Sequence, residues 1–122
     1  MTIQRLNPSQ RWSDATVFNG IGHFVEVPED TSADMAGQAR QIFQQAEQTL
    51  AAIGSDRSML LSATIYITDI SQVDAFNQCW DNWLPEGAAP SRACIKVELL
   101  DPDMLVEIAF VAACPGSMEQ QA

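Results

Sequence analysis

An arginine and a glutamate in the last third of the chain are the residues best suited to chemistry. Arg92 follows Ala89-Pro90-Ser91 at the start of a strand, and its guanidinium fork could bind a carboxylate through two parallel hydrogen bonds. Glu107 interrupts an apolar run, where it could position a water molecule or carry a proton. If their strands form a hairpin, Glu107 lies beside Lys96 or Glu98. Both of those residues share a face with Arg92.

Each of these side chains also has a purely structural interpretation. In a chain this acidic, Arg92 could pair with a nearby carboxylate, and Glu107 could pair with Lys96 across the strands. Cys94 lies two residues after Arg92 on the same side, and a free cysteine is most often a small buried hydrophobe. Asn77, within a predicted helix, could be a site residue or an exposed polar residue. Spacing alone leaves both interpretations open.

The remaining reactive side chains do not form a metal or disulfide motif. Cys79, Cys94 and Cys114 are an odd number without a Cys-x-x-Cys pair, which favours reduced cysteines. His23 is the single histidine and has no partner at metal-ligand spacing, so no metal site is predicted. Trp12 belongs to a polar N-terminal segment, where it could line a pocket or cover a sheet edge.

Charge and length exclude several classes of protein. The 122 residues contain 16 Asp and Glu against 6 Lys and Arg, a net charge of −10. This balance disfavours nucleic acids and anionic membranes as partners. No apolar run approaches the roughly 18 residues of a membrane helix, and residues 1–25 do not resemble a secretion signal. We therefore expect one cytoplasmic domain over 1–114, followed by a flexible tail at 115–122.

Alternating apolar residues predict five strands. The strands cover residues 15–18, 21–27, 59–68, 91–99 and 105–114. Asn19-Gly20 joins the first two in a tight turn, and Asp101-Pro102-Asp103 forms a turn between the last two.

Two amphipathic helices separate these strands. An apolar stripe predicts the first over 33–53, with N-cap candidates at 30–32 and a terminating Gly54. The second begins at Ser71 and stops before Pro85. The order ββαβαββ predicts a two-layer α+β domain, in which both helices pack on one face of a mixed sheet.

The sheet face away from the helices is predicted to mix apolar and charged residues. It would carry Thr64, Tyr66, Cys94, Ala109 and Val111 together with Arg92 and Glu107. Such a face is typical of an oligomer interface that contains a site, so we expect self-association.

Three segments resemble the reactive intermediate deaminase (Rid, or YjgF-type) family. Residues 89–113 match its C-terminal signature, in which a proline precedes Arg-x-Cys, a short turn contains Pro, and an apolar strand carries Glu. Residues 65–69 resemble its strand ending in Asp, and 74–77 with Trp80 resemble the following helix. Features that are similar to the YoaB-like branch are Arg11-Trp12-Ser13-Asp14, Val27-Pro28-Glu29-Asp30 and the Trp80/Trp83 pair.

The resemblance implies a chorismate-mutase-like fold and a homotrimer with sites at the subunit interfaces. It also implies a hydrolase that converts enamines and imines, such as 2-aminoacrylate, to 2-keto acids and ammonia without a cofactor. By matching positions, Arg92 would bind the substrate carboxylate and Glu107 would help hold the attacking water. Cys94 and Asn77 would line the pocket, and Trp12 would replace the family's usual Tyr.

The chain departs from the family pattern at the end of the second strand. Glu26 stands where a Gly is expected, and its carboxylate could shrink the pocket or repel an anionic substrate. An alternative function is therefore a non-catalytic module of the same fold that binds a keto acid or another small carboxylate. A chaperone-like or RNA-cleaving protein is a third hypothesis, and the negative charge disfavours RNA.

Overall fold

Six strands form one mixed sheet in the computed structural model, which describes residues 2–116. The strands are β1 (Gln4–Leu6), β2 (Ala15–Phe18), β3 (Ile21–Glu26), β4 (Leu60–Ile67), β5 (Ser91–Lys96) and β6 (Val106–Ala113). Their order across the sheet is β1-β2-β3-β6-β4-β5, and only the β4–β5 pair is parallel. The predicted strands are all confirmed, and β1 is an addition too short to leave a sequence pattern.

Helix α1 (Met35–Ala52) begins at a different cap from the one predicted. Asp34 is the N-cap, and its side chain accepts a hydrogen bond from the Gly37 backbone N–H at 2.9 Å. The candidates at 30–32 are wrong because Asp30 instead accepts from the N–H of Ser32 in a turn before the helix. Gly54 follows the C-cap with a φ of 76°, as the predicted helix end requires.

Helix α2 (Val73–Trp83) follows a short 3₁₀ turn over Ile70–Gln72. Ser71 was predicted as its cap, but the N-cap residue is Gln72, which makes no side-chain capping hydrogen bond. The carboxylate of Asp69 instead caps the preceding 3₁₀ turn, where it accepts from the backbone N–H of Ser71 at 2.9 Å. The chain leaves the helix at Leu84, before Pro85, as predicted.

The predicted hairpin of the last two strands is wrong. β5 crosses over to pair parallel with β4, while β6 enters the sheet between β3 and β4. Every residue of β5 is exposed, whereas β6 alternates between buried and half-buried residues. The more apolar strand therefore takes a central position, and the polar strand takes the edge.

The same pairing corrects the predicted sheet faces. Arg92 is in register with Ala63, and Cys94 with Ile65, so both lie on the helix side rather than on the open face. Glu107 is in register with Tyr66 on the open face, together with Thr64, Ala109 and Val111, as predicted.

A bulge in β4 reverses the alternation at its start. The register with β6 shifts between Leu60 and Ser62. Leu60 therefore enters the core, whereas Leu61 is 46% exposed.

The core lies between the sheet and the two helices and is rich in aromatic rings. Phe43 stacks on Trp83 with ring centroids 4.5 Å apart, and Phe24 stacks on Phe110 at 5.0 Å. Trp80 is buried among them, as the apolar stripe of α2 predicts. Trp83 also meets the Phe110 ring edge-on at 6.1 Å, so these contacts fix α2 against both α1 and β6.

Most of the predicted tail, residues 117–122, lies outside the described part of the chain. Before it, the N–H of Gly116 donates to the carbonyl of Gly54 at 3.1 Å. Neither helix found between residues 2 and 116 is long and apolar enough to cross a membrane.

Candidate functional site

Arg92 lies on the edge strand β5 and reaches over the start of α2. Its Nη2 donates to Oδ1 of Asn77 at 2.7 Å. The guanidinium carbon lies 5.3 Å from the ring centroid of Trp80 and 5.8 Å from that of Phe76. The cation therefore rests on two aromatic faces, which hold its plane while the edge of the fork stays free.

The guanidinium has no ion-pair partner among residues 2–116. The ion pair that these residues do form joins Arg57 to Glu47 at 3.5 Å and does not involve β5. The structural interpretation of Arg92, an ion pair with a nearby carboxylate, is therefore wrong for the described chain. Asn77 accepts a hydrogen bond from one of the five guanidinium N–H groups, so the other N–H groups can bind an anion.

Cys94 and Asn77 both lie beside Arg92. Cys94 is exposed on the same face of β5, two residues along, so its interpretation as a small buried hydrophobe is wrong. Asn77 is half-buried on α2, and its amide oxygen holds the arginine, so it is more than an exposed polar residue. The structure thus brings together three of the predicted site residues.

Glu107 lies elsewhere. It is half-buried on the open face of the sheet, and β4 separates its strand from β5. Within the described residues its carboxylate has neither a hydrogen bond nor an ion pair, so the predicted pair with Lys96 is wrong. The parallel pairing of β5 places Lys96 on the helix side, in register with Ile67.

Trp12 and Glu26 share a cavity of about 560 Å³ on the helix side. The cavity opens between the segment before β2, the end of β3 and the middle of α1. Its lining consists of Trp12, Ser13, Asp14, Val25, Glu26, Val27, Glu29, Gln45, Gln48 and Thr49. The indole of Trp12 is 68% exposed, which agrees with the prediction that it could line a pocket.

The Glu26 carboxylate is fixed by donors from α1. Thr49 Oγ1 donates to its Oε2 at 2.7 Å, and the nearby side chain of Gln45 also favours the ionised form. Partial burial raises the pKa of Glu26 above its usual 4.5, and the charges of Asp14 and Glu29 add to that rise. The hydrogen bond from Thr49 and the nearby amide of Gln45 oppose this rise by stabilising the ionised form.

The two groups of residues lie towards opposite ends of the sheet. β6 and β4 stand between β3 and β5, a separation of about 14 Å at the usual strand spacing. One chain therefore does not bring Trp12 and Glu26 to Arg92. Among residues 2–116, no three His, Cys, Asp or Glu side chains are grouped to hold a metal ion.

Several residues of the two groups were not predicted from the sequence to be site residues. Gln45, Gln48 and Thr49 recur at the three- and four-residue spacing of one helical face, which could have shown that this polar face has a partner. Phe76 and Trp80 have the same spacing, but their apolar character predicts only the core. No local pattern indicates that an arginine would lie across their rings.

Comparison with known proteins gives a consistent result. A family model described as Endoribonuclease L-PSP matches residues 2–114. A RutC family protein of Haemophilus influenzae is 38% identical over 116 residues, covering 93% of this chain and 100% of the relative. The RutC family protein YoaB of Escherichia coli is 37% identical over 113 residues, covering 93% and 99%. A 3-aminoacrylate deaminase RutC of Acinetobacter baylyi is 33% identical over 79 residues, covering 65% and 62%.

A solved structure has the same fold. NMB1025 of Neisseria meningitidis, a member of the YjgF protein family, superposes with a TM-score of 0.89 at 33% identity. The match covers 93% of this chain and 95% of that protein. The chorismate-mutase-like arrangement expected from the sequence is therefore confirmed.

Proposed function

The chain belongs to the Endoribonuclease L-PSP family, with YoaB-like relatives, and on this premise we propose that it is a deaminase of reactive 2-imines and 2-enamines. Its products would be 2-keto acids and ammonia, and the reaction would need no cofactor. One observation carries the proposal: Arg92 is held by Asn77 and two rings, yet has no carboxylate partner among residues 2–116. The name of the Acinetobacter baylyi relative supports the reaction class.

Arg92 would bind the substrate through its carboxylate. The ring faces of Phe76 and Trp80 restrict the guanidinium plane, so little side-chain freedom remains to be lost on binding. Exposed Cys94 would form the wall of the pocket next to it. This arrangement suits a small planar anion such as a 2-imino acid.

The chemical step is the addition of water to a C=N bond. An enamine first gains a proton at its terminal carbon and becomes an imine. The water oxygen then bonds to the imine carbon as the C=N electron pair moves to nitrogen. Glu107 would hold the water, accept its proton and return a proton to nitrogen. The proton left on the new hydroxyl then passes to nitrogen as the C–N bond breaks. This step forms the carbonyl of the keto acid and releases ammonia, with no change of oxidation state.

The proposal places the complete site between copies of a homotrimer. In a cyclic assembly each copy meets its neighbours through two different surfaces, so residues from opposite ends of one chain meet at each interface. Arg92 of one copy would then face Trp12 and Glu26 of the next. The open sheet face, with exposed Phe18, Val25 and Ile95, would supply apolar contact area.

The first test measures the hydrolysis of 2-imino acids that an amino-acid oxidase generates in situ. Loss of the semicarbazide-trapped imine would be followed with wild type and with Arg92→Ala. We expect wild type to accelerate hydrolysis and Arg92→Ala to lose about 100-fold in kcat/KM, the effect of a lost bidentate ion contact. The variant should keep the oligomeric mass, because the apolar contact area of the open sheet face is unchanged. A wild type inert on all imines would refute the deaminase.

A carboxylate-binding module is the second candidate. Glu107 lies on the opposite sheet face from Arg92, so a single copy has an anion-binding fork without a catalytic carboxylate beside it. Stabilisation of the fold by pyruvate, without turnover of any imine, would favour this function. The three free cysteines fit a cytoplasmic location for either function.

A further inference from the structure

The Glu26 cavity is larger and more acidic than the hydrolysis of a small imine requires. 2-Aminoacrylate has six non-hydrogen atoms, whereas a cavity of about 560 Å³ is in the range of pockets that hold much larger ligands. Three carboxylates line it, those of Asp14, Glu26 and Glu29, and its lining contains no Lys or Arg. The cavity therefore has room and charge for a part of the substrate that the reaction itself does not use.

The aromatic rim of the cavity is held by its own loop rather than by packing. The backbone N–H and Oγ of Ser9 donate to the carbonyl of Trp12 at 2.7 and 2.8 Å. Nδ2 of Asn7 donates to Asp14 at 3.0 Å, and the N–H of Asp14 donates to the carbonyl of Leu6 at 2.8 Å. These bonds hold Trp12 at the cavity mouth although its indole is largely exposed. An indole face in this position can bind an organic cation.

Glu26 is oriented but not neutralised. Thr49 donates to it from α1, the nearby Gln45 favours its ionised form, and no described Lys or Arg pairs with it. Gln45 also donates to the carbonyl of Val27 at 2.7 Å, which ties its amide to the end of β3. The carboxylate is thus held in place with its charge uncompensated, which favours a cationic ligand over a neutral one and disfavours an anionic one.

Resting on the proposed function, we propose that Glu26 is a specificity-determining residue that selects imino acids whose side chain ends in a cation. The carboxylate of such a substrate would bind Arg92 of one copy. Its ammonium or guanidinium end would lie between Trp12 and Glu26 of the next copy. The Gly expected at position 26 offers no such charge, so this preference would be a property of this chain.

The test compares two imines that differ only in the terminal charge. Arginine and citrulline have side chains of nearly equal shape, and only arginine is cationic. An amino-acid oxidase of broad specificity generates both imines, and kcat/KM is measured for wild type and Glu26→Gln. We expect wild type to prefer the arginine imine by about 10-fold or more, as one charge-assisted contact allows. Glu26→Gln should bring the two values within about 3-fold of each other.

A matched control is Glu86→Gln, which removes an exposed carboxylate from the loop between α2 and β5. This variant should keep the wild-type preference. Equal rates for the two imines with wild type would overturn the specificity inference and leave the deaminase intact.

If no imine is hydrolysed, a binding measurement can still test the cation site independently of the deaminase activity. Titration calorimetry with propylguanidinium measures cation recognition without any turnover. Binding by wild type that is lost in Glu26→Gln would support the cation site even though the deaminase had failed. The absence of binding to wild type would overturn it.

Discussion

Arg92 and Glu26 are both charged side chains without an opposite charge among the described residues, but the fold holds them in different ways. Arg92 is exposed on an edge strand and rests on two ring faces, so its charge stays hydrated. Glu26 is half-buried at the end of β3, and donors from α1 partly compensate the loss of water. The cation is thus supported without desolvation, whereas burial of the anion raises its pKa.

The two regions therefore differ in the energetic cost of holding the charged side chain in place before a ligand binds. The arginine region is preorganised at little cost in stability, because aromatic faces and one amide orient it. The glutamate region is held against an unfavourable burial of charge, which a bound cation would relieve. Enzyme kinetics tests this difference on the arginine side, and measurements of stability test it on the glutamate side.

The largest expected effect is on the arginine side. Asn77→Ala removes the amide oxygen that holds Nη2 of Arg92, so the fork loses its fixed direction. We expect KM for a 2-imino acid to rise about 10-fold, the loss of one hydrogen bond to a charged group, with a smaller change in kcat. Steady-state kinetics on oxidase-generated imines measures both constants. An unchanged KM would mean that the ring faces alone orient the guanidinium.

A smaller effect is expected from the donor on the glutamate side. Thr49→Val keeps the shape of the side chain and removes the hydroxyl that donates to Glu26. The free energy of unfolding should fall by about 1 kcal/mol at pH 7, measured by urea denaturation. In the Glu26→Gln background the same substitution should cost less, because a neutral acceptor makes a weaker bond. Equal costs in both backgrounds would contradict the account of Glu26 as an ionised acceptor.

The smallest effect is a pH-dependent change in melting temperature. Because the pKa of Glu26 is raised by folding, its contribution favours the native state below the unfolded value of 4.5 and is lost as pH rises through the folded value. Glu26→Gln should therefore melt about 2 °C above wild type at pH 7 and close to it at pH 4. Calorimetry at both pH values measures the difference.

Other carboxylates respond to pH in the opposite direction. Hydrogen bonds from the serine two residues on lower the pKa values of Asp30, Asp56 and Asp69. They stabilise the fold above their unfolded pKa, and this stabilisation is lost as pH falls through the folded value. Because they are present in wild type and in Glu26→Gln alike, they cancel in the comparison. A difference that shrinks between pH 4 and pH 7 would contradict the raised pKa of Glu26.

The local elements were predictable because each depends on neighbouring residues. The turn at Asn19-Gly20 has positive φ at both residues, and Gly54 ends its helix, because these conformations depend on the residue itself. The pairing of β5 was not predictable in this way. Asp101-Pro102-Asp103 does form a turn, with the N–H of Asp103 donating to Asp101, yet the strands on either side do not pair. Which strand becomes central depends on the burial of both of its faces.

Individual residues of the candidate site could be predicted from the sequence, but their relative positions could not. Arg92, Asn77 and Cys94 follow from the family resemblance, and the structure brings them together. The sheet face of Arg92 and Cys94 was predicted wrongly because the register of β5 depends on β4, some thirty residues earlier. Trp12 and Glu26 were each singled out, but only the folded chain shows that they share one cavity.

The position of β6 has a consequence for how the chain is made. β6, which follows the other described strands in the sequence, is hydrogen-bonded to both β3 and β4, so it joins the two parts of the sheet. Until residues 106–113 have been made, β1–β3 and β4–β5 are separate units, and each exposes an unpaired edge. A growing chain therefore depends on protection from edge-to-edge association until β6 has been made. Loss of those eight residues would divide the sheet at its centre instead of shortening it at one side.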